Sequence, residues 1–240
     1  MCGAVTAELD GKRVDGDLPG RQGRLLFVRL VLARRRTVPR SELLAALWPH
    51  DAPASAESSL SALLSRLRRA LGEERLEGRS DVRLVLPDDA WIDLEAATEA
   101  LHRAESAVAR GDWGGAWGPA RVAQHVAARG FLPGEDAPWI DEQRRRVEEL
   151  HVRALELAAR ACLGIGGTEL DTAERAARTL IEQAPYREAG HRLLMEALDA
   201  RGNGAEALLV YERLRTRLRD ELGAAPSQAT QALHRRLLGG

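Results

Sequence analysis

The sequence predicts a mostly α-helical protein, with a mixed α+β part at its N-terminus and an all-α part after it. Turn-forming residues are dense up to about residue 90 and sparse afterwards, and the apolar residues change there from short mixed patterns to long helical stripes. A chain of 240 residues with 45% hydrophobic side chains has enough apolar surface for a core. We therefore place a boundary near Trp91 and predict two domains, residues 1–90 and 91–240.

Composition excludes several classes of protein. The longest apolar run, residues 25–33, is interrupted by Arg29 and is far shorter than the ~20 residues of a membrane helix. No apolar secretion signal opens the sequence, so we expect a cytoplasmic protein without a membrane partner. Cys2 and Cys162 have no cysteine or histidine at ligand spacing, and we expect both to act as small hydrophobic residues. The formal net charge of −1 does not by itself indicate a nucleic-acid binder.

The first 50 residues predict a strand pair and two helices. Alternating apolar residues precede Asp10-Gly11, a hairpin turn signal, and residues 12–14 can return as a second strand. A mostly buried helix is expected over residues 20–36. Pro39 permits the start of another helix, which ends at Trp48-Pro49.

The third predicted helix carries the most information about function. It follows Ser55, a predicted N-cap, and its apolar residues recur at i, i+3, i+4, i+7 and i+11. These residues are Leu60, Leu63, Leu64, Leu67 and Leu71. At ~100° per residue, the opposite face is small at its N-terminal end and cationic at its C-terminal end. The residues of that face and its flanks are Ser58, Ser61, Ala62, Ser65, Arg66, Arg68 and Arg69.

Small side chains let a helix backbone approach a DNA groove, while arginines further along reach phosphates. Taken alone, the helix also fits an ordinary solvated face. It is followed by a predicted hairpin, with strands at residues 75–77 and 82–86, and Arg79 in its turn is a further candidate for DNA contact. Two helices, a basic helix and a hairpin in this order are the plan of a winged helix-turn-helix, whose third helix enters the major groove.

Residues 91–240 predict helices joined by short loops. The predicted helices are 93–110, 113–128, 139–163, 172–183, 188–201, 205–221 and 228–238. Ala173-Glu174 and Ala205-Glu206 recur 32 residues apart, near the ~34-residue period of tetratricopeptide repeats. We therefore expect a tetratricopeptide-like array of helical pairs, a type of fold that binds proteins or peptides.

Motifs for catalysis and for cofactors are missing. The sole lysine, Lys12, does not follow a phosphate-binding loop, and Gly164-Ile165-Gly166-Gly167 follows a helix and predicts a linker rather than a dinucleotide site. The six histidines are scattered, so no metal site is predicted. We expect no enzyme and no cofactor, and we expect the five tryptophans to pack between helices rather than to stack on bases.

Two stretches of the sequence resemble a known family. Ser41-Glu-Leu-Leu-Ala-Ala-Leu-Trp48 and Leu64-Ser-Arg-Leu-Arg-Arg-Ala-Leu71 resemble the OmpR-like winged-helix domain of the SARP (antibiotic regulatory protein) activators. Ala184-Pro-Tyr-Arg-Glu188, Leu193-Leu-Met-Glu-Ala-Leu198 and Glu221-Leu-Gly223 resemble the bacterial transcriptional activator domain of that family. The resemblance implies a dimer that binds direct repeats in promoter DNA and recruits RNA polymerase through its sigma factor. It also implies that Arg66, Arg68 and Arg69 match the basic motif of the recognition helix.

The distribution of charge agrees with a DNA reader. Residues 18–83 hold 13 arginines against 7 acidic residues, a net charge of +6, whereas residues 91–240 carry a net charge of −3. We therefore predict a sequence-specific DNA-binding transcriptional activator. The alternatives are a helical-repeat scaffold for protein interactions and the DNA-binding part of a larger regulator.

Overall fold

The computed structural model describes residues 1–239 and is mostly helical, with small sheets whose strands lie between residues 8 and 84. By spatial contact the chain forms two compact units. The first joins residues 1–93 with residues 129–147, and the second joins residues 94–128 with the chain from Glu148 onward. The contiguous domains 1–90 and 91–240 stay a prediction.

The first unit begins with a two-stranded hairpin. Strands β1 (Glu8–Leu9) and β2 (Lys12–Arg13) pair antiparallel, with Leu9 opposite Lys12. Asp10 and Gly11 both have positive φ, at 51° and 77°, which is the conformation that a two-residue type I′ hairpin turn requires. The predicted Asp10-Gly11 turn is confirmed.

Three helices and a second sheet follow. These are α1 (Gly20–Leu32), β3 (Val38–Pro39), α2 (Arg40–Leu47), α3 (Ala56–Leu71), β4 (Leu76–Glu77) and β5 (Asp81–Leu84). The strand order is β3-β5-β4, all antiparallel, with Val38 opposite Val82 and Leu76 opposite Leu84. Strand β3 was not predicted, because two residues that include Pro39 carry no alternating pattern.

The core of this unit lies between α1, α2, α3 and the three-stranded sheet. Its most buried side chains are 0–1% exposed and are Leu26, Val28, Leu30, Val38, Leu43, Leu60, Leu64, Leu67, Val82 and Leu84. An ion-pair cluster joins α1 to α2 at the edge of this core, because Glu42 accepts hydrogen bonds from Arg29 and Arg36. The Arg36 hydrogen bond, together with the nearby charge of Arg29, holds the pKa of Glu42 below its usual value despite partial burial.

Residues 129–147 complete the first unit around Trp139. Its indole Nε1 donates to the Ala46 carbonyl oxygen at 3.1 Å, and the Arg29 guanidinium lies 6.0 Å from the ring centroid. Phe131, 1% exposed, meets the Trp139 ring edge-on. The prediction that tryptophans pack against helices is therefore confirmed for Trp139. It is wrong for Trp91, which is 72% exposed.

The second unit is built from helices. They are α4 (Asp93–Ala109), α5 (Trp113–Ala127), α6 (Pro138–Ile165), α7 (Leu170–Gln183), α8 (Glu188–Ala200), α9 (Gly204–Leu222) and α10 (Gln228–Leu238). One of them, α6, begins in the first unit and enters the second at Glu148. Helix α7 packs on α8, α8 on α9, and α10 on both α8 and α9. The apolar stripes of α6 to α10 form a continuous core that includes Leu155, Leu180 and Met195, each fully buried. Helical pairs in sequence order that share a core form a repeat-like array.

Glycines let two helix pairs approach closely. A Cβ at Gly164 would lie 2.4 Å from the Trp113 ring, and a Cβ at Gly190 would lie 3.0 Å from Leu180 Cγ. Gly166 and a 3₁₀ turn at Gly167–Glu169 join α6 to α7, whereas Gly164 and Ile165, also predicted as linker, still belong to α6. No helix of residues 1–239 is long and apolar enough to cross a bilayer.

Candidate nucleic-acid interface

Helix α3 separates its apolar and polar residues cleanly. The five leucines of its stripe are buried, with Leu60 and Leu67 at 0% exposure. The opposite face is exposed, and its exposed residues are Ser58, Ser61, Ala62, Ser65, Arg66 and Arg69. The helix starts without a capping hydrogen bond from the predicted N-cap Ser55, whose carbonyl oxygen instead accepts from Ser58 Oγ at 2.8 Å. The face expected from the 100° periodicity is thus accessible to a partner.

Arg68 differs from the other arginines of α3 because it is half-buried. Its Nε donates to the Leu76 carbonyl oxygen at 3.1 Å, and its Nη2 donates to the Gly78 carbonyl oxygen at 2.5 Å. Both acceptors belong to the β4–β5 hairpin, so Arg68 fixes the hairpin beside the C-terminal half of α3. A charged donor to two carbonyl oxygens is a strong attachment.

The hairpin turn presents Arg79 to solvent. Gly78 has φ +83°, and a Cβ there would lie 1.8 Å from the Asp81 carbonyl oxygen, so only glycine fits this turn. Arg79 and its neighbours Ser80 and Asp81 are exposed. Ser80 Oγ donates to Asp81 Oδ2 at 3.3 Å, so one oxygen of this carboxylate, two residues from Arg79, already accepts a hydrogen bond.

Arg40, the first residue of α2, lies against the N-terminal half of α3. Its guanidinium donates to Glu57 Oε2 from Nε at 3.2 Å and from Nη2 at 3.0 Å. Nη2 also lies 2.8 Å from Ser61 Oγ, whose own hydroxyl donates to the Glu57 carbonyl oxygen at 2.9 Å. Ser61 is therefore brought into an internal network, whereas Ala62 and Ser65 stand outside it.

Sequence reasoning missed Arg40 and Glu57 in this cluster. Glu57 stands four residues before Ser61 and so shares its side of the helix, which a periodicity argument could have used. Arg40 is 17 residues from Glu57 in the chain, and only the fold brings the two together.

A cationic groove runs from the C-terminal end of α3 to the first hairpin. It has a volume of about 880 Å³, and its charged lining residues are the basic Lys12, Arg66 and Arg69 and the acidic Asp10 and Asp17. A smaller groove of about 340 Å³ is lined by Ser65, Arg68, Arg69, Gly72 and Glu73. Such positive, open surfaces suit the phosphate groups of a nucleic-acid backbone better than an enclosed small molecule.

The surroundings of the two cysteines and of the possible metal ligands of residues 1–239 decide what chemistry these side chains can do. Burial raises the pKa of the Cys2 and Cys162 thiols to about 11, so both stay protonated at neutral pH, as expected for small hydrophobic residues. Within residues 1–239, no three histidine, cysteine or acidic side chains form a cluster that could hold a metal ion.

Comparison with known proteins identifies the family. A model described as "Bacterial transcriptional activator domain" matches residues 92–238. The regulatory protein AfsR of Streptomyces griseus is 32% identical over 217 residues, covering 90% of this chain and 22% of the relative. AfsR of Streptomyces coelicolor is 34% identical over 240 residues, covering 99% of this chain and 24% of the relative.

A solved structure extends the similarity to nearly the whole chain. The structure described as Mycobacterium tuberculosis EmbR in complex with a low-affinity phosphopeptide matches with a TM-score of 0.85 and 26% identity, over 99% of this chain and 64% of that chain. The chain thus spans about a quarter of the length of the AfsR proteins and less than two thirds of EmbR. The names of these relatives describe regulatory proteins, in the case of EmbR a transcriptional regulatory protein. The chain belongs to the family of the bacterial transcriptional activator domain, the family of the SARP-type transcriptional activators.

Proposed function

We propose that this chain binds double-stranded DNA in a sequence-specific manner and activates transcription. The observation that carries the proposal is the exposed face of α3, which is small at one end and cationic at the other. Over 16 residues the helix is about 24 Å long, and the major groove, about 12 Å wide, admits an α-helix.

In this proposal α2 and α3 are the helix-turn-helix, and the β4–β5 hairpin is the wing of an OmpR-like winged helix. Helix α3 lies in the major groove with Ser58, Ala62 and Ser65 nearest the bases, and Ser61 beside them in the Arg40 network. Arg66 and Arg69, which line the cationic groove, contact phosphates, and Arg79 contacts the backbone from the wing. Arg68 acts chiefly by holding the wing against α3.

The charge distribution supports this orientation. The +6 net charge of residues 18–83 attracts the phosphate backbone, whereas the −3 of residues 91–240 does not. Residues 91–240, which contain the helical repeats, are therefore the part that we assign to protein partners.

The SARP family supports a finer proposal about partners. The chain binds direct repeats in a promoter as a homodimer, and its helical-repeat part recruits RNA polymerase with its sigma factor. A regulator with these partners works in the cytoplasm.

Selection from a random pool of duplex DNA, with the full chain, tests the function. An enriched sequence is expected, because base contacts select sequence whereas phosphate contacts only position the protein. The enriched half-site is expected to occur twice in tandem, because the proposed homodimer binds direct repeats. A pool without any enriched sequence would contradict the proposal and favour a helical-repeat scaffold for protein interactions.

A further inference from the structure

The N-terminal end of the α3 face carries an acidic side chain that the proposed DNA interface does not explain. Glu57 lies in the first turn of α3, and its side chain is 67% exposed. A carboxylate on a surface that approaches phosphates is repelled by them, and phosphate binding alone gives no reason for one there.

The structure holds this carboxylate in one orientation. Both Arg40 nitrogens that reach it, Nε and Nη2, donate to the same oxygen, Oε2. Arg40 is itself fixed, because its Nη2 also donates to the Glu57 carbonyl oxygen at 3.1 Å and to Ser61 Oγ, and its side chain is only 23% exposed. Among residues 1–239 no donor is placed on Glu57 Oε1, so one oxygen of this largely exposed side chain stays available as an acceptor at the start of the helix.

The bases differ in how they meet such an oxygen. In the major groove, cytosine presents an amino group, N4, and carries no acceptor of its own on that edge, and Glu or Asp side chains accept from this amino group. Adenine also presents an amino group, but its N7 acceptor lies beside it and repels a carboxylate. Guanine and thymine present acceptors at the corresponding positions. The N-terminal residues of a recognition helix are those that contact base edges.

We propose that Glu57 is a specificity-determining residue that accepts a hydrogen bond from cytosine N4 at one position of each half-site, and that Arg40 is the positioning residue that orients it. This inference rests on the proposed DNA-binding function. Arg40 also offsets the negative charge of Glu57, which reduces its repulsion by the phosphates on either side of the groove.

The test begins with selection of the wild-type half-site and then measures affinity for all four base pairs at each of its positions. The wild-type chain is expected to prefer cytosine at one position by about tenfold. Glu57→Gln is expected to change that preference to adenine, because an amide pairs with both N6 and N7 of adenine. Glu57→Ala is expected to bind all four base pairs there about equally.

A matched control is available in the second unit. Glu99 is 68% exposed and also pairs with an arginine, Arg103, so Glu99→Gln removes the same charge from a site with nearly the same exposure. It is expected to leave the base preference at every position unchanged.

Arg40→Ala should reduce the preference for cytosine at the Glu57 position as well as overall affinity, and Arg40→Lys should restore part of the preference. The ratio of the affinities for the different base pairs at that position separates the two effects. Loss of a phosphate contact weakens binding to all base pairs equally and leaves this ratio unchanged, whereas loss of positioning changes it.

The outcomes distinguish the two proposals. If the wild-type chain enriches a half-site but Glu57→Gln and Glu57→Ala keep its preferences at every position, the role of Glu57 is refuted and the DNA-binding function stands. If the wild-type chain enriches no sequence, both fail. A thermal unfolding midpoint for each variant equal to that of Glu99→Gln verifies that the fold is retained.

Discussion

Three arginines within four residues of α3 have different surroundings. Arg66 and Arg69 are exposed and line the cationic groove, whereas Arg68 is half-buried and donates to two carbonyl oxygens of the hairpin. From the sequence alone, all three are predicted to contact DNA. Because their neighbours differ, their replacement should affect different properties.

Replacing Arg66 or Arg69 by alanine should weaken DNA binding almost equally for all sequences. Each loses one phosphate contact, so the slope of log affinity against log salt should become less steep by ~1. Titrations of the same duplex over a range of salt concentrations measure this slope. Slopes equal to that of the wild type would refute the assignment of these residues to phosphates.

Replacing Arg68 by alanine should instead destabilise the first unit by about 2 kcal/mol, the order of magnitude for loss of hydrogen bonds from a charged group. The Leu76 and Gly78 carbonyl oxygens lose their donor. Urea unfolding of Arg68→Ala beside Arg66→Ala provides the comparison. Equal free energies of unfolding for the two variants would contradict the structural role of Arg68.

His191 predicts a pH dependence of stability. It is 4% exposed, and burial lowers its pKa below the ordinary value of 6.5, although the Pro185 carbonyl oxygen at 3.0 Å acts in the opposite direction. The unfolded chain then takes up a proton more readily than the folded chain. This contribution to stability is complete above pH 6.5 and is lost as the pH falls through the lower, folded-state pKa.

The urea concentration at the unfolding midpoint of the wild type should therefore decrease when the pH is lowered from 7.5 to about 5.5. The midpoint of His191→Gln should decrease less over the same change of pH. Carboxyl groups such as Glu188, with an ordinary pKa of 4.5 that the fold lowers, contribute only at lower pH. A variant with the same pH dependence as the wild type would show that His191 is not the group responsible.

At the scale of elements, periodicity predicted the helices to within a few residues, because each buries one apolar stripe. It also predicted which side of α3 is exposed. Strand β3 could not be predicted, since it exists only through pairing with β5, more than 40 residues away. The same holds for the contacts of Arg68 and Arg40, which join α3 to the hairpin and to α2. Whether the exposed face contacts DNA stays a prediction.

Two turn glycines offer a comparison within the first unit. Gly11 and Gly78 have similar positive φ values, but a Cβ meets nothing within 4 Å at Gly11 and meets the Asp81 carbonyl oxygen at 1.8 Å at Gly78. Gly11→Ala should lower the free energy of unfolding by about 1–2 kcal/mol, because an alanine is strained in the left-handed conformation. Gly78→Ala should lower it by more, because the hairpin must open, and should also weaken DNA binding. Equal unfolding free energies for the two variants would contradict this account.

At the scale of the whole molecule, the +6 of residues 18–83 is offset by the −3 of residues 91–240 and by the −4 that residues 1–17 and 84–90 carry together, which gives the total of −1. The positive part is the one with the candidate DNA interface, so the net charge of −1 excludes nothing.

A homodimer on tandem half-sites predicts a dependence on helical phase. Insertion of about 5 base pairs between the half-sites turns one of them to the opposite face of the duplex, and insertion of about 10 returns it. Affinity for the pair of sites should fall with the first insertion and recover in part with the second, as gel-shift titrations can measure. Independence of spacing would indicate that each copy binds alone.

The segment around Trp139 has a consequence for how the protein can be divided. Because residues 129–147 belong in space to the first unit, the chain passes between the two units at residues 93–94, 128–129 and 147–148. A single cut near residue 90 would therefore deprive Ala46 of the indole that caps it and Arg29 of the ring beneath it. The two units alternate along the chain rather than follow each other end to end, so the smallest continuous piece that retains the whole first unit also contains α4 and α5 of the second.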